Sequence, residues 1–192
     1  MNARQVAFVL AAAAALAGWA CSGGNAPSRS EPTDYAPTVE VSAGPAMFAD
    51  VTDRSGIQFV YRNGEEANHL TILESQGGGV GVIDYDGDGL MDLFFPGGGA
   101  FAGTDKKEIV GKPCKLYRNL GNGKFKDVTA EVGLDRLAGG QPWFYTHGVA
   151  VADFDRDGRP DLLVTGWGGV ALFRNVDGKR FEDVTAKAGL GK

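Results

Sequence analysis

The chain is short of cysteine and of positive charge, and each shortage excludes a class of protein. Two cysteines among 192 residues cannot build a disulfide framework. A formal net charge of −5 at pH 7 leaves no basic surface for a phosphate backbone, so we exclude nucleic acid as a partner. Glycine, in contrast, is abundant, and its count of 30 is about twice the usual share. This excess predicts a fold with many tight turns.

The N-terminal segment, residues 1–20, differs in composition from the rest of the chain. An arginine and the amino terminus supply positive charge, residues 6–17 are an unbroken apolar run, and small residues follow. Because the run is shorter than the roughly 20 apolar residues of a membrane span, we predict an export signal peptide over residues 1–20. Cys21 comes next and resembles the lipid-attachment cysteine of bacterial lipoproteins, which anchors a chain to a membrane. Gly18 stands where that pattern prefers leucine, so ordinary signal cleavage is the alternative. With Cys21 lipidated, Cys114 has no cysteine partner and is expected to be a free thiol in a loop.

Residues 21–46 are rich in serine, glycine and proline. Proline interrupts regular secondary structure, and a segment of this composition buries too little apolar surface to offset its chain entropy. We therefore predict a disordered tether between the anchor and the remainder of the chain, residues 47–192.

Two phrases recur in residues 47–192. The first, F-x-D-V-T-x-x-x-G-(I/L), begins at Phe48, Phe125 and Phe181. The second, Leu-aromatic-Arg-Asn, begins at Leu116 and Leu172. The separation along the chain between the two copies of the second phrase equals the separation between the later two copies of the first phrase. This locked spacing indicates a structural repeat.

Counted from the first phrase, the repeats occupy about residues 48–124 and 125–180, and a third begins at residue 181. Two acidic loops also recur, beginning at Asp84 and Asp153, and they lie farther apart along the chain than the copies of the second phrase do. The first repeat therefore contains extra residues, which we assign to residues 97–113. We predict that this insertion is a surface loop.

Short apolar segments bounded by Gly and Asp enter and leave each acidic loop, which is typical of β-strands. Repeats of roughly 40 to 60 residues with several antiparallel strands each are typical of β-propellers. We therefore predict an all-β chain of propeller-type blades built from short antiparallel strands. Two complete repeats fall short of the roughly four to eight blades of a closed propeller, so we expect a partial propeller. It is either a fragment with missing C-terminal blades or an array that associates with other copies to cover its open strand edges.

The acidic loops share one spacing, with Asp at positions 1, 3, 5 and 9 and Gly at position 6. Clustered carboxylates repel one another unless a cation joins them, and Ca²⁺ accepts about six to eight oxygen ligands, including the backbone carbonyl at position 7. The predicted Ca²⁺ ligands are Asp84, Asp86, Asp88, Leu90 and Asp92 in the first loop, and Asp153, Asp155, Asp157, Arg159 and Asp161 in the second.

Other interpretations of the loops fit less well. An EF-hand needs a glutamate at position 12 and flanking helices, whereas Phe95 and Val164 stand there and both flanks resemble strands. No Cys or His lies in either loop, which argues against zinc, and Mg²⁺ seldom accepts a cage made entirely of protein ligands. An acidic surface turn without metal is the remaining alternative. Gly at position 6 predicts a positive φ at that point of the turn.

The repeated phrases and the D-x-D-x-D-G loops resemble FG-GAP or VCBS repeats, the Ca²⁺-binding blades of integrin α-subunit N-terminal propellers and their bacterial relatives. The combination looks like the cartilage-acidic-protein-like ASPIC/UnbV family, over about residues 48–190. The resemblance implies a propeller fold, Ca²⁺ bound at the Asp positions, and a role in binding or adhesion.

Two functions follow as hypotheses. The first is a non-catalytic, exported module at the cell envelope, in the periplasm, on the outer membrane or on the cell surface, that binds a protein or polysaccharide partner. The alternative is an envelope enzyme, a glycan hydrolase or lyase that uses Ca²⁺ or a polar group such as His147 or Glu74. No nucleophile motif accompanies these two side chains, which favours the first hypothesis, and we expect no catalytic residue.

Overall fold

Ten short strands carry most of the regular structure in a computed structural model that describes Gly44 and residues 47–191. Their bounds are β1 Gly81–Ile83, β2 Asp92–Phe95, β3 Gly99–Ala102, β4 Glu108–Gly111, β5 Lys115–Asn119, β6 Phe125–Asp127, β7 Tyr145–Ala152, β8 Asp161–Trp167, β9 Gly169–Val176 and β10 Arg180–Asp183. Helix in these residues is limited to the single turns α1 (Thr52–Ser55) and α2 (Ile72–Ser75) and to two 3₁₀ turns, Glu65–Ala67 and Ala138–Gly140. The all-β prediction is confirmed.

The signal peptide, Cys21 and nearly all of the tether lie outside the described residues, so those predictions stand as made. Within the described part of the chain, no helix has both the length and the apolar character needed to span a bilayer.

Eight strands form two four-stranded antiparallel sheets of the same design. The first sheet has the order β1-β2-β5-β6, and the second has the order β7-β8-β9-β10. Each sheet is a meander in which neighbouring strands follow one another along the chain, apart from the β3–β4 hairpin inserted between β2 and β5. Four-stranded antiparallel sheets that repeat in this way are the blades of a propeller-type fold.

The sheets divide the chain at different points from the phrases in the sequence. Phe125, the start of the second predicted repeat, lies in β6, the last strand of the first sheet. Phe181, where a third repeat was placed, lies in β10, the last strand of the second sheet. A repeated sequence has a period but no intrinsic starting point. Strand pairing sets that starting point, and here the first phrase forms the last strand of each sheet.

The inserted residues 97–113 are not a simple surface loop. They form the β3–β4 hairpin, whose exposed residues lie at its tip, and the exposed Lys112 and Pro113 follow β4. Glycines at its base permit close packing on the start of β7, because a Cβ added at Gly99 would overlap the Tyr145 ring and one at Gly111 would overlap the carbonyl oxygen of Trp143. The insertion is therefore part of the packed structure.

One apolar cluster joins the two sheets. Phe94 and Leu116 of the first sheet and Leu162 and Phe173 of the second are buried in it. Each sheet thus covers the other, as stacked blades do. Cys114, expected to be a free thiol in a loop, is a free thiol just before β5, but it is fully buried in the same cluster.

Candidate metal centre

Each acidic loop is the connection between the first two strands of a sheet. The first loop joins β1 to β2, and the second joins β7 to β8. Phe95 and Val164, the twelfth residues counted from the start of each loop, lie within β2 and β8. The flanks are therefore strands, which excludes an EF-hand at either position.

The predicted positive φ at position 6 is present in both loops. Gly89 has φ 84° and Gly158 has φ 88°, in the left-handed region that favours glycine. Position 4 also has a positive φ, which the sequence did not indicate. It is Gly87 in the first loop, but Arg156, with φ 63°, in the second. The two backbones therefore follow the same path despite this difference in sequence.

Hydrogen bonds from the backbone aim the first three aspartates inward. In the first loop, the Asp88 N–H donates to Asp84 Oδ1 at 3.1 Å and to Asp86 Oδ1 at 3.3 Å, and the Gly89 N–H donates to Asp84 Oδ2 at 3.0 Å. The Leu90 N–H donates to Asp88 Oδ1 at 2.9 Å.

The second loop repeats these bonds residue for residue. The Asp157 N–H donates to Asp153 Oδ1 at 3.1 Å and to Asp155 Oδ1 at 3.2 Å, and the Gly158 N–H donates to Asp153 Oδ2 at 2.9 Å. The Arg159 N–H donates to Asp157 Oδ1 at 3.0 Å. Two segments with different neighbours thus reach one conformation.

The aspartate at position 9 is buried and fastens its loop to the rest of the sheet. Asp92 accepts the Tyr85 N–H at 3.1 Å on one oxygen and the Asn119 N–H at 2.7 Å on the other. Asp161 does the same with the N–H groups of Phe154, at 3.0 Å, and Asn175, at 2.8 Å. Burial raises the pKa of both carboxyl groups despite these bonds, and the neighbouring aspartates raise it further. A cation beside them would oppose that shift.

An arginine from the third strand of each sheet contacts the loop of that sheet. Arg118 Nη2 lies 2.7 Å from Asp86 Oδ2 and 3.1 Å from Asp88 Oδ2. Arg174 Nε lies 2.5 Å from Asp155 Oδ2, and its Nη2 lies 2.9 Å from Asp157 Oδ2. The pKa of Arg118 and of Arg174 is raised by these carboxylates.

These arginines were missed in the sequence, although a signal existed. They occupy the same place in the two Leu-aromatic-Arg-Asn phrases, with a charge opposite to that of the loops. Arg159, predicted to contribute only its carbonyl, also directs its guanidinium toward Asp157, with Nη2 at 3.3 Å.

The structure brings together part of each predicted ligand set. Carboxylate oxygens of Asp84, Asp86 and Asp88 lie within 4.8 Å of one another in the first loop. In the second loop the corresponding group is Asp153, Asp155 and Asp161. Asp92 lies outside the first group and Asp157 outside the second, while Leu90 and Arg159 stand at position 7 as expected. An all-carboxylate donor set of this kind suits a hard cation.

The two loops lie side by side. A cleft of about 430 Å³ between them is lined by Asp84, Asp86, Arg159 and Asp177. The fully buried Asn175 joins its walls, because its Nδ2 donates to the Tyr85 carbonyl of the first loop at 2.8 Å and to the Pro160 carbonyl of the second at 3.2 Å. The loops are therefore mechanically connected.

The polar groups considered for catalysis have other contacts. Glu74 caps the first turn of α2, accepting the N–H of Thr71 at 2.7 Å and of His69 at 2.8 Å. His147 lies in β7 at a register shift between Thr146 and Gly148. These contacts give Glu74 a structural role.

Residues 100–164 match the family model for the FG-GAP-like repeat. This part of the chain is an FG-GAP-like repeat. The matched stretch runs from β3 to β8 and includes the whole second acidic loop. The match agrees with the resemblance carried by the two phrases and the acidic loops, and it supports a repeat module of the extracellular type.

The chain is also similar to cartilage acidic protein 1 of three vertebrates. It is 38% identical to the Mus musculus protein over 78 residues, 37% identical to the Xenopus tropicalis protein over 81 residues, and 37% identical to the Homo sapiens protein over 78 residues. These matches cover 38%, 39% and 38% of this chain and 11% of each relative. The chain thus spans about a tenth of the length of these relatives.

Proposed function

We propose that this chain is an exported, non-catalytic module in which two Ca²⁺ ions stabilise adjacent FG-GAP-like blades that bind a partner at the cell envelope. The observation that carries the proposal is the repetition of one loop conformation. Two loops with different neighbours share the same hydrogen bonds, and each directs three carboxylates toward one point. A recurrent surface turn without metal has no reason to concentrate this much negative charge.

The two loops differ in the number of arginines that contact them, and this difference makes the proposal specific. Each loop has four aspartates. Among the described residues, one guanidinium, that of Arg118, contacts the first loop, whereas Arg159 and Arg174 both contact the second. Because positive charge beside the carboxylates opposes a cation, the first loop should bind Ca²⁺ more tightly than the second. Two distinct affinities are expected.

Calorimetric titration of the full chain with CaCl₂ tests this. The expected result is two sites, with the tighter one removed by Asp86→Asn and the weaker one by Asp155→Asn. These substitutions match each other, since each keeps the Oδ1 acceptor and removes a carboxylate charge. Asp105→Asn, in the exposed tip of the β3–β4 hairpin, is the control and should leave both sites intact. Absence of Ca²⁺ binding by a folded sample would refute the proposal.

The arginines offer an independent test of the same sites. Replacing Arg118 or Arg174 by glutamine should raise the Ca²⁺ affinity of the loop that each contacts. Lysine at either position keeps the charge and should change the affinity less. A fall in affinity for both glutamine variants would mean that the guanidinium supports the bound metal.

Export and anchoring are proposed from the N-terminal sequence. Labelled palmitate should be incorporated by the wild-type chain in a bacterial host and not by Cys21→Ser. Labelling of neither, with cleavage before residue 21, would identify simple secretion.

The partner is proposed to be a protein or a polysaccharide of the envelope, and a glycan and envelope-protein array probed in Ca²⁺ and in chelator would distinguish the two.

A further inference from the structure

Two asparagines of the chain are followed directly by glycine, and the structure holds them in different ways. They form the pairs Asn63-Gly64 and Asn122-Gly123. In such a pair, the glycine nitrogen can attack the side-chain amide of the asparagine, because glycine has no Cβ to block the approach. Whether the reaction occurs depends on how freely the fold lets these two groups meet. The two pairs therefore permit a comparison within one chain.

Asn122 and Gly123 are the central residues of the turn that joins β5 to β6. The Lys124 N–H closes this turn by donating to the Gly121 carbonyl at 3.0 Å. The φ angles of Asn122 and Gly123 are 53° and 70°, as in the tight hairpin turns that favour an Asn-Gly sequence. Both residues are exposed, and a Cβ added at Gly123 would meet no atom within 4 Å. Water therefore reaches the pair freely.

The two groups that would react are not held by other contacts. Among the described residues, the Asn122 amide makes no hydrogen bond and the Gly123 N–H donates to no acceptor. The glycine nitrogen reaches the amide carbon only if the turn opens. Besides the bond that closes the turn, opening is opposed by the Leu120 N–H, which donates to the Lys124 carbonyl at 2.8 Å. Local opening of an exposed turn requires far less free energy than global unfolding.

Asn63, in contrast, is fixed by its neighbours. Its Nδ2 donates to the Glu74 carbonyl, and its own carbonyl accepts the Tyr145 hydroxyl at 3.1 Å. Gly64 is buried, and a Cβ added there would lie 2.8 Å from the Phe101 ring. Rotation of either the amide or the backbone would break these part-buried bonds, and each broken bond raises the barrier to reaction.

We propose that Asn122, and not Asn63, is a site of spontaneous deamidation in the folded protein. The Gly123 nitrogen gives its proton to water and forms a bond to the Asn122 Cγ, the Cγ–Nδ2 bond breaks, and ammonia leaves. Water then opens the resulting succinimide ring. Attack at Cγ gives aspartate, whereas attack at the backbone carbonyl gives isoaspartate. The sum is one water consumed and one ammonia released, and either product adds a negative charge to the chain.

The second sheet shows that the aspartate product fits a turn of this kind. Asp177 and Gly178 are the central residues of the turn between β9 and β10, with φ 56° and 64°. The Lys179 N–H closes that turn by donating to the Val176 carbonyl at 3.1 Å. Conversion of Asn122 to aspartate should therefore keep the β5–β6 hairpin. Isoaspartate adds a methylene to the backbone and should loosen the hairpin.

The first experiment compares the two pairs in the same sample. The full chain is incubated folded in mildly alkaline buffer, and peptide mass spectrometry follows the conversion of each asparagine over time. Residue 122 is expected to convert at least about tenfold faster than residue 63. In denaturant the two rates should become similar, because the pairs are chemically alike. Equal rates in the folded chain, or no conversion of residue 122, would overturn the proposal.

The second experiment uses variants and separates the products by charge. Asn122→Asp supplies the elution position and the melting temperature of the aspartate form. Asn122→Gln should remove the acidic product that accumulates in the parent, because a longer side chain closes a ring more slowly. Asn68→Gln is the matched control, since Asn68 is also exposed with φ 58°, but histidine follows it. Undiminished acidic product in Asn122→Gln would overturn the proposal.

Discussion

Replacing Asn175 by alanine should destabilise the end of the protein that carries both acidic loops, because this one side chain joins them. Asn175 is fully buried, and its amide donates to carbonyls of Tyr85 and Pro160. Its Oδ1 accepts the Gly178 N–H at 3.0 Å. Alanine removes three hydrogen bonds, of which the one to Tyr85 is buried and the other two are part-buried. At about 1 kcal/mol for each bond, the expected loss is about 3 kcal/mol.

Asn119→Ala provides the matched control. Asn119 occupies the same place in the first sheet, but among the described residues its amide donates to the Met91 carbonyl alone, in an exposed setting, and its Oδ1 accepts the Gly121 N–H. Water can replace these partners, so the expected loss is about 1 kcal/mol. The comparison isolates the connection between loops, since both substitutions remove the same atoms from the same phrase.

The assay is urea unfolding followed by circular dichroism, in chelator and in CaCl₂. For a domain of this size, about 3 kcal/mol corresponds to a decrease of roughly 10 °C in a parallel thermal scan. Asn175→Ala should also reduce the stabilisation gained from Ca²⁺, because the first loop loses its support from the second sheet. Equal losses for Asn175→Ala and Asn119→Ala would refute the argument that the two loops form one connected unit.

Three further predictions concern the fold. Gly158→Ala should lower the free energy of unfolding in urea by about 1 kcal/mol, because φ at this position is 88°. No atom lies within 4 Å of the added Cβ, so the cost comes from the backbone conformation alone. Gly77→Ala has similar space and no positive φ, and it should be close to neutral. Phe94→Ala should cost about 3 to 5 kcal/mol in the same measurement, because Phe94 is fully buried between the sheets. Val82 is half-exposed, so Val82→Ala should cost less than about 1 kcal/mol. Similar losses for both variants would contradict a core between the blades. Burial raises the pKa of Cys114 to about 12, so its thiol should react with a disulfide reagent at pH 8 only after denaturation; fast reaction of the native protein would place it at the surface.

In the acidic loops, local sequence determines the turn, and contacts between distant segments determine which side chains surround it. Spacing alone predicted that aspartates of each loop would lie close together and that Gly89 and Gly158 would adopt positive φ, because turn geometry depends on residues only a few positions apart. The contacts of Arg118 and Arg174 were not predicted. These side chains reach the loops from the third strand of each sheet, well beyond the loop in the chain, so strand pairing is needed to bring them there.

The aspartates at position 9 are a second case in which the sequence did not predict contacts with a distant strand. Their role as metal ligands stays a prediction, and Asp161 lies in the carboxylate group of the second loop. What the sequence did not predict is that Asp92 and Asp161 are buried and accept backbone N–H groups of the third strand. Burial is decided by what packs around a residue, and hydropathy within one loop does not report it.

By itself, the sequence determined the β class, the repeat period and the two acidic loops with strands on both sides, because strand alternation and turn chemistry act over a few residues. Tertiary structure decided which phrase closes which sheet, that residues 97–113 form a packed hairpin, and that Asn175 joins the loops. Each of those outcomes depends on a contact between segments that are distant in the chain. Such contacts form only when the strands have paired and the two sheets have buried their common core.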